Sequence, residues 1–212
     1  LYEDLGGSTE CSIANSLWVD PEGQLREDFI GRCAGVFDAQ VLQAELSDPD
    51  IVPALNSWVS RHTEDMIPEI ISEPFSEDTA ALLVNALYLK NTWETEFDPL
   101  VTRERDFYHA DGTEAQMDFL HHYEQALPYL KAEGAQGALL PYDDGRLAFF
   151  ALMPDAGTDF SAWLSGLDGA ELARLIRDSR DRSDLFLRLS LPKFEAEWRG
   201  ELKDLLSQMG LD

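Results

Sequence analysis

The stretch that most constrains this chain is Leu82 to Phe97, LLVNALYLKNTWETEF. From Leu82 to Leu89 the residues are apolar without alternation, apart from one amide, Asn85. Such a run predicts a strand covered on both faces, and hence the middle of a large sheet. An amide inside it needs a hydrogen-bond partner, because an unpaired buried polar group costs roughly 1–3 kcal/mol. The residues around Asn85 offer no obvious one.

Elements of mixed kind surround this run. Residues 11–19, CSIANSLWV, read as a strand closed by the turn cluster Asp20-Pro21-Glu22-Gly23. Leu25, Phe29, Cys33 and Val36 recur at helical spacing, and residues 37–46 return to a strand-like pattern. Ser47-Asp48-Pro49-Asp50 signals a helix start. The stripe Ile51, Leu55, Trp58 or Val59, His62, Met66 and Ile70 then predicts a long amphipathic helix that Pro68 stops or kinks near Ile67. Beyond Pro99, residues 106–108 and 115–119 flank Asp111-Gly112, a hairpin signal. Residues 125–130, 137–140 and 147–153 read as strands, the last two joined by a turn at Pro141–Gly145, and residues 160–164 and 170–176 as short helices. Leu185, Leu187, Leu189 and Leu191 alternate as a strand. Leu202, Leu205, Leu206 and Met209 mark a last helix, with Gly210 as its left-handed cap and Leu211 as the following hydrophobe. No repeat or linker divides the chain, and regular strand–helix alternation is missing. The expected fold class is α+β, in a single domain over residues 1–212.

Charge and composition exclude several functions. Sixteen basic residues stand against 41 acidic ones, a net charge of −25. That balance opposes a surface tracking nucleic-acid or heparin-like phosphates and sulfates. An acidic environment explains it more simply than a dedicated acidic binding face. No apolar run approaches the roughly 20 residues of a membrane span. The opening LYEDLGG carries neither a leader pattern nor an initiator methionine, and the chain reads as an excised segment. Cys11 and Cys33 are too few for a disulfide framework, and Cys33 is expected to be a buried small hydrophobe.

Catalytic signatures are missing too. The 14 glycines, of which only Gly6 and Gly7 are adjacent, form no P-loop, dinucleotide fingerprint or Gly-x-Ser-x-Gly elbow. His121 and His122, adjacent in a predicted strand, point to opposite faces and cannot readily share a metal. His62 falls on the buried stripe of its helix and is read as a packing residue. The acidic pairs Glu94 and Glu96, and Asp143 and Asp144, are read as chance neighbours or turn residues. No enzyme chemistry, cofactor or metal is expected.

The central stretch resembles the signature segment of the serpin family, with Asn85, Lys90, Trp93 and Phe97 at matching spacing. IANSLWV resembles that family's second strand of sheet A. LNSWVSRHTEDMIPEII, residues 55–71, is similar to its helix F motif through Asn56, Trp58, Val59, Thr63 and Ile67. Residues 139–155, LLPYDDGRLAFFALMPD, resemble its sheet B hairpin. Residues 187–212 resemble strand 6 of sheet A followed by helix I. One departure is Asn91, where the family usually has glycine; asparagine tolerates a positive φ better than other residues.

The resemblance implies a serpin-like fold, a large sheet A with smaller sheets B and C and surrounding helices, incomplete at both ends. It covers the middle of a family member and omits the reactive-centre loop. It further implies a suicide-substrate inhibitor of serine or cysteine proteases that inserts its cleaved loop into sheet A beside the central strand. The partner would be a target protease engaged through that missing loop, with no nucleic acid and no membrane. The segment alone would be non-inhibitory and prone to self-association through exposed strand edges, and the whole protein would be extracellular or secreted. Carrier, chaperone or structural roles on the same scaffold remain the alternative. Three residues take conformational-switch roles from the resemblance. Asn85 falls in the shutter region, where it would pair with side chains outside this chain, Trp93 at the breach where the loop first enters, and Lys193 where a lysine pairs with a glutamate at the loop's base. Each also has a plainer reading: a satisfied core amide, ordinary core packing, and a solvated lysine at a strand end.

Overall fold

The computed structural model describes residues 9–109, 111–179 and 185–210. The opening LYEDLGG and Leu211 lie outside them. The chain divides into two compact units, one made of residues 1–95 with Pro141–Phe149, the other of Glu96–Leu140 with residues 150–212.

In the first unit, β1 (Glu10–Val19), α1 (Glu27–Phe37), β2 (Ala39–Gln43), α2 (Ile51–His62) and β3 (Ala81–Lys90) follow in order. The three strands form one sheet in the order β2-β1-β3, with β1–β2 parallel and β1–β3 antiparallel. Strand alternation sends Trp18, Leu82, Val84 and Ala86 to one face. There they pack with Leu46, Ile51, Leu55, Trp58 and Val59, so the apolar stripe of α2 closes that face. On the other face Leu17 and Ala39 meet Cys33 of α1, with Ile30, Leu25, Val19 and Ala81 around them. Cys33 is buried and free, as its apolar neighbours predicted.

The expectation that β3 is covered on both faces is not met among the described residues. Helix α1 covers only the Leu17–Ala81 end of its face. Farther along β3, Leu83, Leu87 and Leu89 are 64%, 57% and 43% exposed. An apolar run marks a strand that can be covered twice; it does not supply the second cover.

Helix α2 also ends earlier than its stripe predicted, at His62 rather than near Ile67. Glu64 and Asp65 adopt positive φ, which breaks the helix. The buried Thr63 hydroxyl donates to the Val59 carbonyl and accepts from the Ile67 amide. Asn56 then clamps the next segment, accepting from the Ile70 and Ile71 amides and donating to the Ile71 carbonyl. The side chains of Thr63 and Asn56 thus redirect a chain whose apolar spacing alone would continue the helix. His62 is half-buried, its ring tilted against Trp58 with centroids 4.2 Å apart and Nδ1 on the Trp58 carbonyl, a packing residue as expected.

In the second unit, β4 (Arg103–Tyr108), β5 (Glu114–Ala126) and β9 (Phe186–Pro192) form an antiparallel sheet in the order β4-β5-β9. The β4–β5 hairpin turns at Gly112, with φ 85°. A bulge between His122 and Gln125 puts Glu124 in the left-handed region and ends the long strand soon after. Pro128 follows, so the strand expected over residues 125–130 is split, and β6 (Tyr129–Ala132) begins a third sheet with β7 (Ala135–Pro141) and β8 (Ala148–Pro154), ordered β6-β7-β8. Gly137 is required there: a Cβ would collide with the Ala151 carbonyl oxygen. Helices α3 (Phe160–Gly166), α4 (Gly169–Ser179) and α5 (Lys203–Gln208) fall where helical spacing placed them, and Gly210 caps α5 with φ 93°.

β9 corrects another expectation. It pairs with β5, outside the sheet that holds β3, so residues 187–192 do not act as strand 6 of the large sheet. Alternation predicts that a strand exists but says nothing about which neighbour it takes.

Candidate functional site

Asn85 sits midway along β3, directly opposite Asn15 of β1. Its Nδ2 donates to Asn15 Oδ1 at 2.8 Å, and Asn15 Nδ2 donates to the Phe37 carbonyl at 2.7 Å. The partner therefore lies within this chain, contrary to an expectation that it lay elsewhere. Nor is the amide buried: it stands on the solvent-facing side of β3. The relay runs from β3 across β1 to the last residue of α1, where it satisfies a carbonyl that the helix leaves open.

Trp93 follows β3 and meets the turn at residues 141–147. It forms an isolated antiparallel bridge with Tyr142. The two rings stack with centroids 4.9 Å apart, and Phe149 approaches the indole edge-on at 6.0 Å. Backbone bonds join the same two segments, from the Glu94 amide to the Pro141 carbonyl and from the Asp143 amide to the Thr92 carbonyl, both 3.0 Å.

Beside this stack lies Asp144. Its carboxylate accepts from the Thr9 hydroxyl at 2.9 Å, Asn91 Nδ2 at 2.6 Å, and the Arg146 and Leu147 amides at 2.7 Å each. Burial alone would raise its pKa, but the Leu147 and Arg146 amides, the Thr9 hydroxyl and the Asn91 amide outweigh that and bring it down to about 2. Tyr142 is held above the usual phenol value, first by burial and then by the Asp144 charge. In the sequence Asp144 reads as a chance neighbour of Asp143 or a turn residue. The signal was present: an aspartate ahead of a glycine can take amides two and three residues on. The strand ends it would also gather were not visible from spacing. Asn91, meanwhile, keeps an ordinary negative φ, so its glycine-like tolerance is not used. Its side chain bonds Asp144 and accepts from the Thr92 amide.

Lys193 lies in the second unit, just after β9. Its amide donates to the Asp118 carbonyl at 2.8 Å, while Nζ stands 4.0 Å from Asp118 Oδ2. Both side chains are more than half exposed, so this ion pair adds little stability. His121 and His122 are both buried with different partners, Ser190 for the first and the ring of Phe97 for the second. Among the described residues no group of three or more His, Cys, Asp or Glu is placed to hold a metal. No described helix is long and apolar enough to cross a membrane.

The model of the family described as Serpin (serine protease inhibitor) matches residues 2–212. An uncharacterized serpin-like protein of fowlpox virus is 29% identical over 201 residues, covering 93% of this chain and 56% of the relative. Antitrypsin of Bombyx mori is 27% identical over 209 residues, 96% of this chain and 52% of that protein. Among solved structures, the thermophilic serpin tengpin in its latent state superposes with a TM-score of 0.85 at 26% identity, over 96% of this chain and 54% of its own. The chain spans about half the length of the curated relatives it matches.

Proposed function

The chain belongs to the serpin family, and from that premise we propose that the whole protein traps serine or cysteine proteases by inserting its own cleaved loop beside β3. β3 carries the reading. It pairs with β1 on one side, and among the described residues no strand lies on its other side. A strand so placed presents a row of N–H and C=O groups to any incoming strand. The name of the Bombyx mori relative, antitrypsin, points the same way.

In the proposed mechanism the protease nucleophile attacks a loop peptide bond, and the new amine end leaves. The loop's other end stays bound to the enzyme as an ester or thioester. Insertion of the freed strand into the sheet displaces the protease before water can release it. The covalent chemistry is the protease's; the serpin supplies a fold that gains stability by accepting a strand. In this scheme Asn85 lines the middle of the slot, and its bond to Asn15 keeps β3 aligned with β1. Trp93 gates the entrance through its stack on Tyr142. Lys193 exchanges its loose contact with Asp118 for a carboxylate at the loop's base.

The 212-residue chain on its own is not an inhibitor in this proposal, because the bait loop has no counterpart among its motifs. Its open β3 edge instead favours pairing with a second copy. Export of the whole protein belongs to the same reading, since it would meet such proteases outside the cell. Incubating the whole protein with a panel of serine and cysteine proteases tests it: at least one should yield a covalent complex that survives denaturant. Loop cleavage without any such complex across the panel makes the protein a non-inhibitory serpin, and the proposal fails.

A further inference from the structure

We propose that Asp144 is a latch on the entrance beside Trp93: by binding Asn91 and Thr9 while the turn's own amides hold it, its carboxylate keeps Trp93 seated on Tyr142 and slows the admission of a strand there. The inference rests on the insertion reading above for its consequence, and on geometry for the latch itself. Thr9 immediately precedes β1 and Asn91 immediately follows β3. Between them lies the last rung of the ladder, Glu10 opposite Lys90. One carboxylate therefore spans both strands at the open end of their pairing and fastens them to the turn that carries Tyr142.

An ionised carboxylate has about four acceptor positions. The four donors here, at 2.6–2.9 Å, occupy that capacity. Two of them, the Arg146 and Leu147 amides, fix the carboxylate within its turn. The other two, Thr9 and Asn91, reach across to the strands. Two backbone hydrogen bonds and the Trp93–Tyr142 ring stack also join the Trp93 segment to the turn. The Thr9 and Asn91 bonds are among those that must break if the turn is to lift from the end of β3. Asn91 stands where the family usually carries glycine, which has no side chain to donate. That arm of the latch belongs to this chain's own sequence.

The test uses the whole protein with Asn91→Gly and Thr9→Val, each removing one donor while leaving the turn's own bonds to Asp144 intact, and Asp144→Asn as the stronger variant. One readout is Trp93 emission, isolated by subtracting the spectrum of the same protein carrying Trp93→Phe. The other is the rate at which a synthetic peptide copying the protein's own reactive loop is taken up. Asn91→Gly and Thr9→Val should each shift Trp93 emission to the red and speed uptake about threefold to tenfold, the kinetic equivalent of roughly one lost hydrogen bond. Thr9→Ser, which keeps the hydroxyl, should restore the wild-type values. Unchanged emission, or uptake within twofold of wild type in both single variants, overturns the latch. A wild-type protein that takes up no peptide and traps no protease overturns the inhibitory reading instead, and Trp93 emission in the variants then decides the latch alone.

Discussion

On β5, the buried imidazole of His121 has Nδ1 2.7 Å from the Ser190 hydroxyl, while Nε2 has no hydrogen-bond partner among the described residues. Burial first, and then Arg105 and Arg103 of β4, hold its pKa below the ordinary histidine value. The ring is therefore neutral in the folded chain at neutral pH, whereas an unfolded chain protonates it near pH 6.5. Stability from the neutral ring is complete above that value. It is lost as pH falls from about 6.5 towards the lower folded pKa, because protons then bind the unfolded chain preferentially. Ring NMR of His121 should show a midpoint below 6.5, and denaturant midpoints should fall between pH 7 and pH 5; a ring midpoint at or above 6.5 contradicts this. Single residues were also where the sequence was least legible. Asn85 was found from its isolation in an apolar run, but its partner Asn15 lies 70 positions away and only the register of β1 on β3 brings them together. Among 41 carboxylates, Asp143 and Asp144 read as chance neighbours or turn residues, and nothing local reveals that Thr9 and Asn91 converge on Asp144.

Among the elements, those with a strong period or a clear turn signal were legible: the strands β1 and β9, the end of β4, the start of α2, and the glycine-capped α5. What failed were statements about neighbours. Helix α2 stops where Thr63 and Asn56 offer better backbone partners than another turn would, a choice that apolar spacing does not encode. The apolar run of β3 correctly marked a strand, yet its coverage depends on elements packed against it, and α1 reaches only one end. This leaves Leu83 and Leu87 exposed beside a strand edge that no described strand covers. The 212-residue chain should therefore associate as its concentration rises. Leu87→Lys should reduce association measured by light scattering with little change in the denaturation midpoint, since an exposed leucine contributes little to the core. A strict monomer for the unmodified chain at every concentration would count against association through this edge.

For the molecule as a whole, a net charge of −25 sets the background against which each local contact acts. Like charges repel more strongly when held in a compact fold than in an extended chain. Described ion pairs such as Lys90–Glu10 and Arg26–Asp28 are largely exposed and offset little of that repulsion. Raising NaCl from about 10 mM to about 500 mM shortens the screening length from roughly 30 Å to a few ångströms. The thermal midpoint should rise over that range; a fall would mean that surface ion pairs outweigh net repulsion.

The pairing of β1 with both a near and a distant strand has a consequence for the order in which the chain assembles. β2 begins 20 residues after β1 ends and returns to it across a single helix, α1. β3 begins 62 residues after β1 ends, with α2 and a long irregular segment between. Short-range contacts close faster than long-range ones, because less chain entropy must be surrendered first. As the chain emerges during synthesis, β1, α1 and β2 can dock while β3 has yet to be made. The side of β1 that β3 will occupy stays open throughout that interval, so a newborn chain exposes this surface to intruding strands before it can offer the edge of β3.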